Sequence, residues 1–168
     1  ILDFHVRWSK EELPNFESPP SVCETFFSYN ETEFKGYFPE IAYYFIKDGK
    51  NIWIKPLSSD WDSILLFLYS NAIAALLLQK NLIPFHVSGV LDSQGGVWLF
   101  SAPSQTGKST TALMLKELGY QLFTDDTCLI SIKDEKVYAV PSYPMIRAWK
   151  PTLNQYQDQC KDTFQIRK

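Results

Sequence analysis

Two stretches of this chain hold residue types whose spacing suits phosphate chemistry, and a third residue stands ready to assist them. Gly107-Lys108-Ser109 lies between an apolar run, Val97-Trp98-Leu99-Phe100, and a helix-like run over residues 109–118. The text from Ala102 to Ser109 nearly repeats the phosphate-cradling pattern G-x-x-x-x-G-K-[ST], with Ala102 in place of the first glycine. In such a loop, successive backbone N–H groups converge on phosphate oxygens, and the helix that follows adds free donors and the positive end of its dipole. Gly107 permits a backbone angle that a side chain would forbid. Lys108 brings a compact cation to the β- and γ-phosphates, and Ser109 offers a hydroxyl to Mg²⁺. Pro103, Ser104, Gln105 and Thr106 complete the cradle, and Thr110 follows in the helix. ATP and Mg²⁺ are the ligands this pattern implies. The bland alternative is an ordinary strand-to-helix turn.

Phosphoryl transfer is mainly positioning and charge stabilisation. It also needs an acid to hold the metal and a carboxylate to receive the proton of the attacking hydroxyl. Asp125-Asp126 closes the strand-like run 121–126 that follows the helix, where ligands gather in open sheets. Asp125 is a candidate metal ligand with Ser109, and the pair can supply the base. Adjacent acids can equally begin a solvated turn. His86 is the assisting residue. It stands in the apolar run 82–91, which is expected to lie beside the strand preceding the loop. There an imidazole could pair with Asp125 or Asp126 and tune its basicity. A lone histidine in an apolar strand can equally be a hydrogen-bonded core residue.

The elements that must hold these groups are readable in outline. Residues 42–46 and 51–54 are strand-like runs joined by Lys47-Asp48-Gly49-Lys50, a hairpin signal. Ser58-Ser59-Asp60 offers helix caps before an apolar run, residues 61–78. Asp62, Ser70 and Asn71 interrupt that run, so a helix buried against a sheet is expected in place of a membrane span. Residues 92–96 turn the chain between two strands expected to form an antiparallel hairpin. Residues 128–132 and 137–140 are read as two further strands, and Pro141 to Pro144 as a loop. Residues 1–40 are irregular and aromatic-rich, with short strands expected near Phe26-Phe27 and from Phe34 to Phe38.

The 168 residues suit one compact unit, with 45% hydrophobic and 15% aromatic residues to fill a core. A net charge of −3 gives no sign of nucleic-acid binding. Cys23, Cys128 and Cys160 are widely spaced and suggest neither a metal site nor a disulfide framework. A cytoplasmic location fits this usage, with no membrane attachment and with room for a homo-oligomer. The chain begins at Ile1 without Met and ends in no recognisable terminal element, so a fragment is expected.

These pieces, in this order, resemble the HPr kinase/phosphorylase family and, more broadly, the phosphoenolpyruvate-carboxykinase-like P-loop group. The matching text is Pro84-Phe85-His86-Val87-Ser88-Gly89-Val90, residues 101–110, residues 119–126 and residues 141–149. The resemblance implies ATP-dependent phosphorylation of a serine hydroxyl on a protein or peptide. It implies Gly107, Lys108 and Ser109 as phosphate and Mg²⁺ ligands and His86 as the active-site histidine. Asp126 would be the general base, with Asp125 supporting it or the metal. The family's later glutamate-containing signature is not found, which argues against the phosphorylase reaction and against HPr as substrate. Short relatives that phosphorylate peptides, lasso-peptide precursors among them, are the nearer likeness. Arg147 could reach a phosphate or an acidic substrate, or stand on the surface.

The fold expected from all this is α/β. It has a mixed β-sheet core with a P-loop and flanking helices over residues 58–168, preceded by a small strand-rich region over residues 1–57. The alternatives to a serine kinase of proteins or peptides are a non-catalytic nucleotide-binding module, a small-molecule hydroxyl kinase, and a hydrolytic P-loop subunit.

Overall fold

In the computed structural model, which describes residues 3–141, residues 47–50 make the expected hairpin turn. Asp48 and Gly49 both take positive φ, 55° and 58°, the mirror-image turn whose twist matches its strands. The turn joins β5 (Ala42–Lys47) to β6 (Asn51–Pro56), with Phe45 opposite Trp53. β4 (Glu33–Phe38) pairs antiparallel with β5, β3 (Phe27–Tyr29) with β4, and β2 (Val22–Cys23) with β3. β1 (His5–Trp8) adds to the far side of β6 in parallel. The result is a six-stranded sheet, β1-β6-β5-β4-β3-β2.

One face of this sheet is covered by a helical rod, Trp61–Gln79. Asp60 caps it, its carboxylate accepting from the Ser63 amide at 3.2 Å. The rod comprises α1 (Trp61–Phe67), a π turn (Leu68–Ala72) and α2 (Ile73–Gln79). Ile64, Leu68, Ala72 and Leu76 form one buried cluster with Ala42, Tyr44, Ile46, Ile52 and Ile54 of the sheet. A strict four-residue spacing drifts about 40° per step around an ideal α-helix. The wider π turn absorbs that drift and keeps the four side chains on the sheet. The Tyr44 hydroxyl donates to the Ile64 carbonyl at 2.7 Å, just ahead of the π turn. At the other end Gln79 accepts from the Gly49 amide at 2.7 Å. The expected helix against a sheet is present, but only one face is buried: Leu66, Tyr69 and Leu78 are exposed. By length and composition this rod could cross a bilayer.

The chain divides into two compact units, Ile1–Ile83 and Pro84–Lys168. The rod thus belongs with the first sheet, although the sequence grouped it with residues 58–168. In the second unit β7 (Ile83–Leu91) and β8 (Val97–Phe100) form the expected antiparallel hairpin, Ser88 opposite Phe100 and Leu91 opposite Val97. Asp92 ties its turn, accepting from the Gln94 and Gly96 amides at 2.9 and 2.7 Å and from the Trp98 indole at 3.0 Å. α3 (Lys108–Glu117) follows, stopped at Gly119 with φ 96°. β9 (Gln121–Lys133) then pairs antiparallel with β10 (Lys136–Pro141). The sheet order is β10-β9-β7-β8, with α3 against β9.

Two expectations are corrected here. The α/β core with flanking helices does not form: strands take 42% and helices 21% of the described residues, in two sheets with only the rod and α3 as helices. β7 to β8 and β9 to β10 are hairpins, so among the described residues α3 is the one helical connection in the second sheet, and no series of β-α-β crossovers is seen there. The runs read as two strands, 121–126 and 128–132, are one strand of 13 residues. Pro141 ends β10, while the rest of the loop to Pro144, Arg147, Cys160 and the polar tail lie outside the described residues.

Candidate functional site

β8 delivers the chain into a loop, residues 101–107, from which α3 rises. Gln105 and Gly107 both adopt left-handed backbone angles, φ 65° and 97°. Glycine takes such an angle without strain and glutamine does not. The loop is braced from within: the Thr106 hydroxyl donates to the Pro103 carbonyl at 2.7 Å. The Lys108 ammonium donates to the carbonyls of Ala102 at 2.8 Å and Pro103 at 3.2 Å. Ala102, Pro103, Ser104, Gln105 and Thr106 are exposed, and Gly107, Lys108, Ser109 and Thr110 are half-buried at the start of α3.

Ser109 faces β9. Its hydroxyl donates to Oδ1 of Asp125 at 2.8 Å. Asp125 is only 5% exposed. The same Oδ1 also accepts from the hydroxyl of Ser88 in β7, itself 1% exposed. The two serine oxygens are 3.5 Å apart. Beside this buried cluster, Nδ1 of His86 lies 3.3 Å from Oδ1 of Asp126, with the imidazole side chain 65% exposed.

The backbone explains how two consecutive carboxylates serve one side of the sheet. His86 and Ser88 are two apart in β7 and share a face. Their partners, Asp126 and Asp125, are adjacent in β9, and in a regular strand they would point to opposite faces. Asp126 has φ 133°, which breaks the alternation and turns both acids toward β7. Residues held at such angles carry strain and cluster at functional sites.

The sequence-selected residues are therefore brought together in two linked pairs, Ser109 with Asp125 and His86 with Asp126, with the Lys108 loop at the head of the same helix. The sequence placed the acids at the end of a strand; they lie within one. Ser88 has no role in the sequence reading. It stands in the stretch that carried the resemblance, and its signal was a hydroxyl two residues from His86 on an otherwise apolar strand.

Ser109 and Asp125 are hard oxygen donors of the kind magnesium accepts, and that ion commonly takes one or two protein oxygens with phosphate and water filling the rest. Among the described residues no group of three or more His, Cys, Asp or Glu side chains converges on one point. No family model matches the chain, and neither the curated proteins nor the solved structures include a match to it.

Proposed function

We propose that this protein is an ATP-dependent kinase that phosphorylates a serine hydroxyl of a protein or peptide. The observation that carries the reading is the junction of the Ser109–Asp125 bond with the His86–Asp126 pair at the head of α3. This supports the reading because it sets a hydroxyl and a carboxylate fit for magnesium beside a second carboxylate fit to take a proton.

Magnesium, held by Ser109 and Asp125, would supply charge neutralisation to the phosphate oxygens. Lys108 is carried on the loop where a phosphate chain would lie, and its ammonium would exchange loop carbonyls for phosphate oxygens. Asp126 accepts the proton of the acceptor serine, and His86 holds that carboxylate in place. The serine oxygen then attacks the γ-phosphorus in line, and ADP leaves.

The test is mass spectrometry of serine-bearing peptides and proteins, and of free serine, after incubation with the protein, ATP and magnesium. A mass gain of one phosphoryl group on serine, lost in Asp126→Asn, is the expected result. Magnesium-dependent ATP binding with no acceptor modified would favour the non-catalytic module, and no ATP binding at all would overturn the reading.

A further inference from the structure

We infer that Ser88 is a positioning residue for the cation: it holds the Asp125 carboxylate at the angle from which Asp125 and Ser109 serve one metal ion. This rests on the kinase reading and adds to it a residue outside the phosphate loop and the acid pair. Three oxygens carry the argument. Oδ1 of Asp125 accepts from Ser109 on α3 and from Ser88 on β7, so this one atom joins the helix to the strand. Ser88 is 1% exposed, and a hydroxyl donating to a carboxylate in such a dry place is among the stronger bonds a neutral donor makes. Ser109 can offer a lone pair to a cation only while its proton points elsewhere, and here it points at that oxygen. A turn of the carboxylate would take the Ser109 hydroxyl with it. Ser88 holds the same oxygen from β7 that Ser109 holds from α3, and so helps to fix both donors at once. The competing account is that Ser88 only satisfies a buried acid. That account predicts lost stability in Ser88→Ala with unchanged metal affinity.

The experiment is a Mn²⁺ titration of the full chain in the presence of ADP, read by electron paramagnetic resonance, with ADP binding in EDTA measured alongside. Groups that hydrogen-bond to metal ligands and hold them in place commonly contribute about 10–100-fold to affinity. Ser88→Ala is expected to weaken Mn²⁺ binding by about tenfold or more while ADP binding in EDTA stays as in the wild type. Ser88→Thr, which keeps the hydroxyl, is expected to restore Mn²⁺ affinity. Should Ser88→Ala not fold, Ser88→Cys, nearly isosteric and a weak donor, carries the same comparison. Equal Mn²⁺ affinity in the wild type and the hydroxyl-less variant overturns the role of Ser88, as does a threonine variant no better than alanine. A wild type that binds no Mn²⁺ with ADP sinks the kinase reading itself.

Discussion

At the scale of single residues, Asp126 gathers the most demands into one position. Its side chain meets His86, and its backbone sits at φ 133°. Function and stability should therefore pull apart here. Asp126→Asn keeps the shape and removes the proton acceptor; it is expected to slow phosphoryl transfer by at least about a hundredfold, with nucleotide affinity unchanged by equilibrium titration. Equal loss of both would remove Asp126 from the role of base. Asp126→Gly and Asp126→Ala both delete the carboxylate, but only glycine tolerates the backbone angle. Urea denaturation should find the glycine variant more stable than the alanine variant by about 1 kcal/mol. Sequence made the identity of these residues legible, because Lys108, Ser109, Asp125 and Asp126 have types suited to one reaction. It could not disclose the turn of backbone that lets neighbouring acids share a face, since nothing in the text Thr124-Asp125-Asp126-Thr127 contains glycine or proline.

At the scale of elements, short-range signals were the legible ones. The 47–50 turn, the Asp60 cap and the glycine after α3 each act through a few neighbouring residues, and each forms as read. What failed was the fold class, because strand pairing depends on partners distant in sequence; the runs 121–126 and 128–132, read as two strands, form one that lies between β7 and β10. The π turn was equally hidden, although the spacing 64, 68, 72, 76 holds its cause. Leu76→Ala, which opens a cavity between rod and sheet, is expected to cost about 3 kcal/mol by chemical denaturation. Gly49→Ala should also destabilise, because φ is 58° and an added Cβ would stand 2.7 Å from Cγ of Lys80 and 3.3 Å from the Leu76 carbonyl. Glu33 adds a pH dependence. Burial alone would raise its carboxyl, but bonds from Asn30 and from the Glu17 and Ser18 amides, with the charge of Lys47, outweigh burial and hold it below the ordinary 4.5. A depressed carboxylate lends stability above its unfolded pKa and loses it as pH falls through the folded one. Stability of the first unit should therefore drop as pH falls below about 4.5, and Glu33→Gln should flatten that dependence in acid titrations followed by circular dichroism.

At the scale of the whole molecule, every residue assigned to the candidate site lies between His86 and Asp126, within the second unit. The protein carries a net charge of −3, so in the proposed reading attraction to a triphosphate would be local, made by Lys108, the amides of the loop and the head of α3. This has a consequence for how binding is felt along the chain. A ligand that binds the folded state alone stabilises it by about 2.7 kcal/mol at a hundredfold excess over its dissociation constant, and that stabilisation should be concentrated where the contacts are. Amide hydrogen exchange with saturating magnesium-ATP is expected to slow in residues 101–112 and 122–127 and to leave β4, β5 and β6 at their ligand-free rates. Lys108→Ala should abolish the slowing and leave the pattern in β4, β5 and β6 as it was. Protection that appeared in the first sheet and spared residues 101–112 would move the nucleotide out of this site altogether, and with it the case for Asp126 as the base.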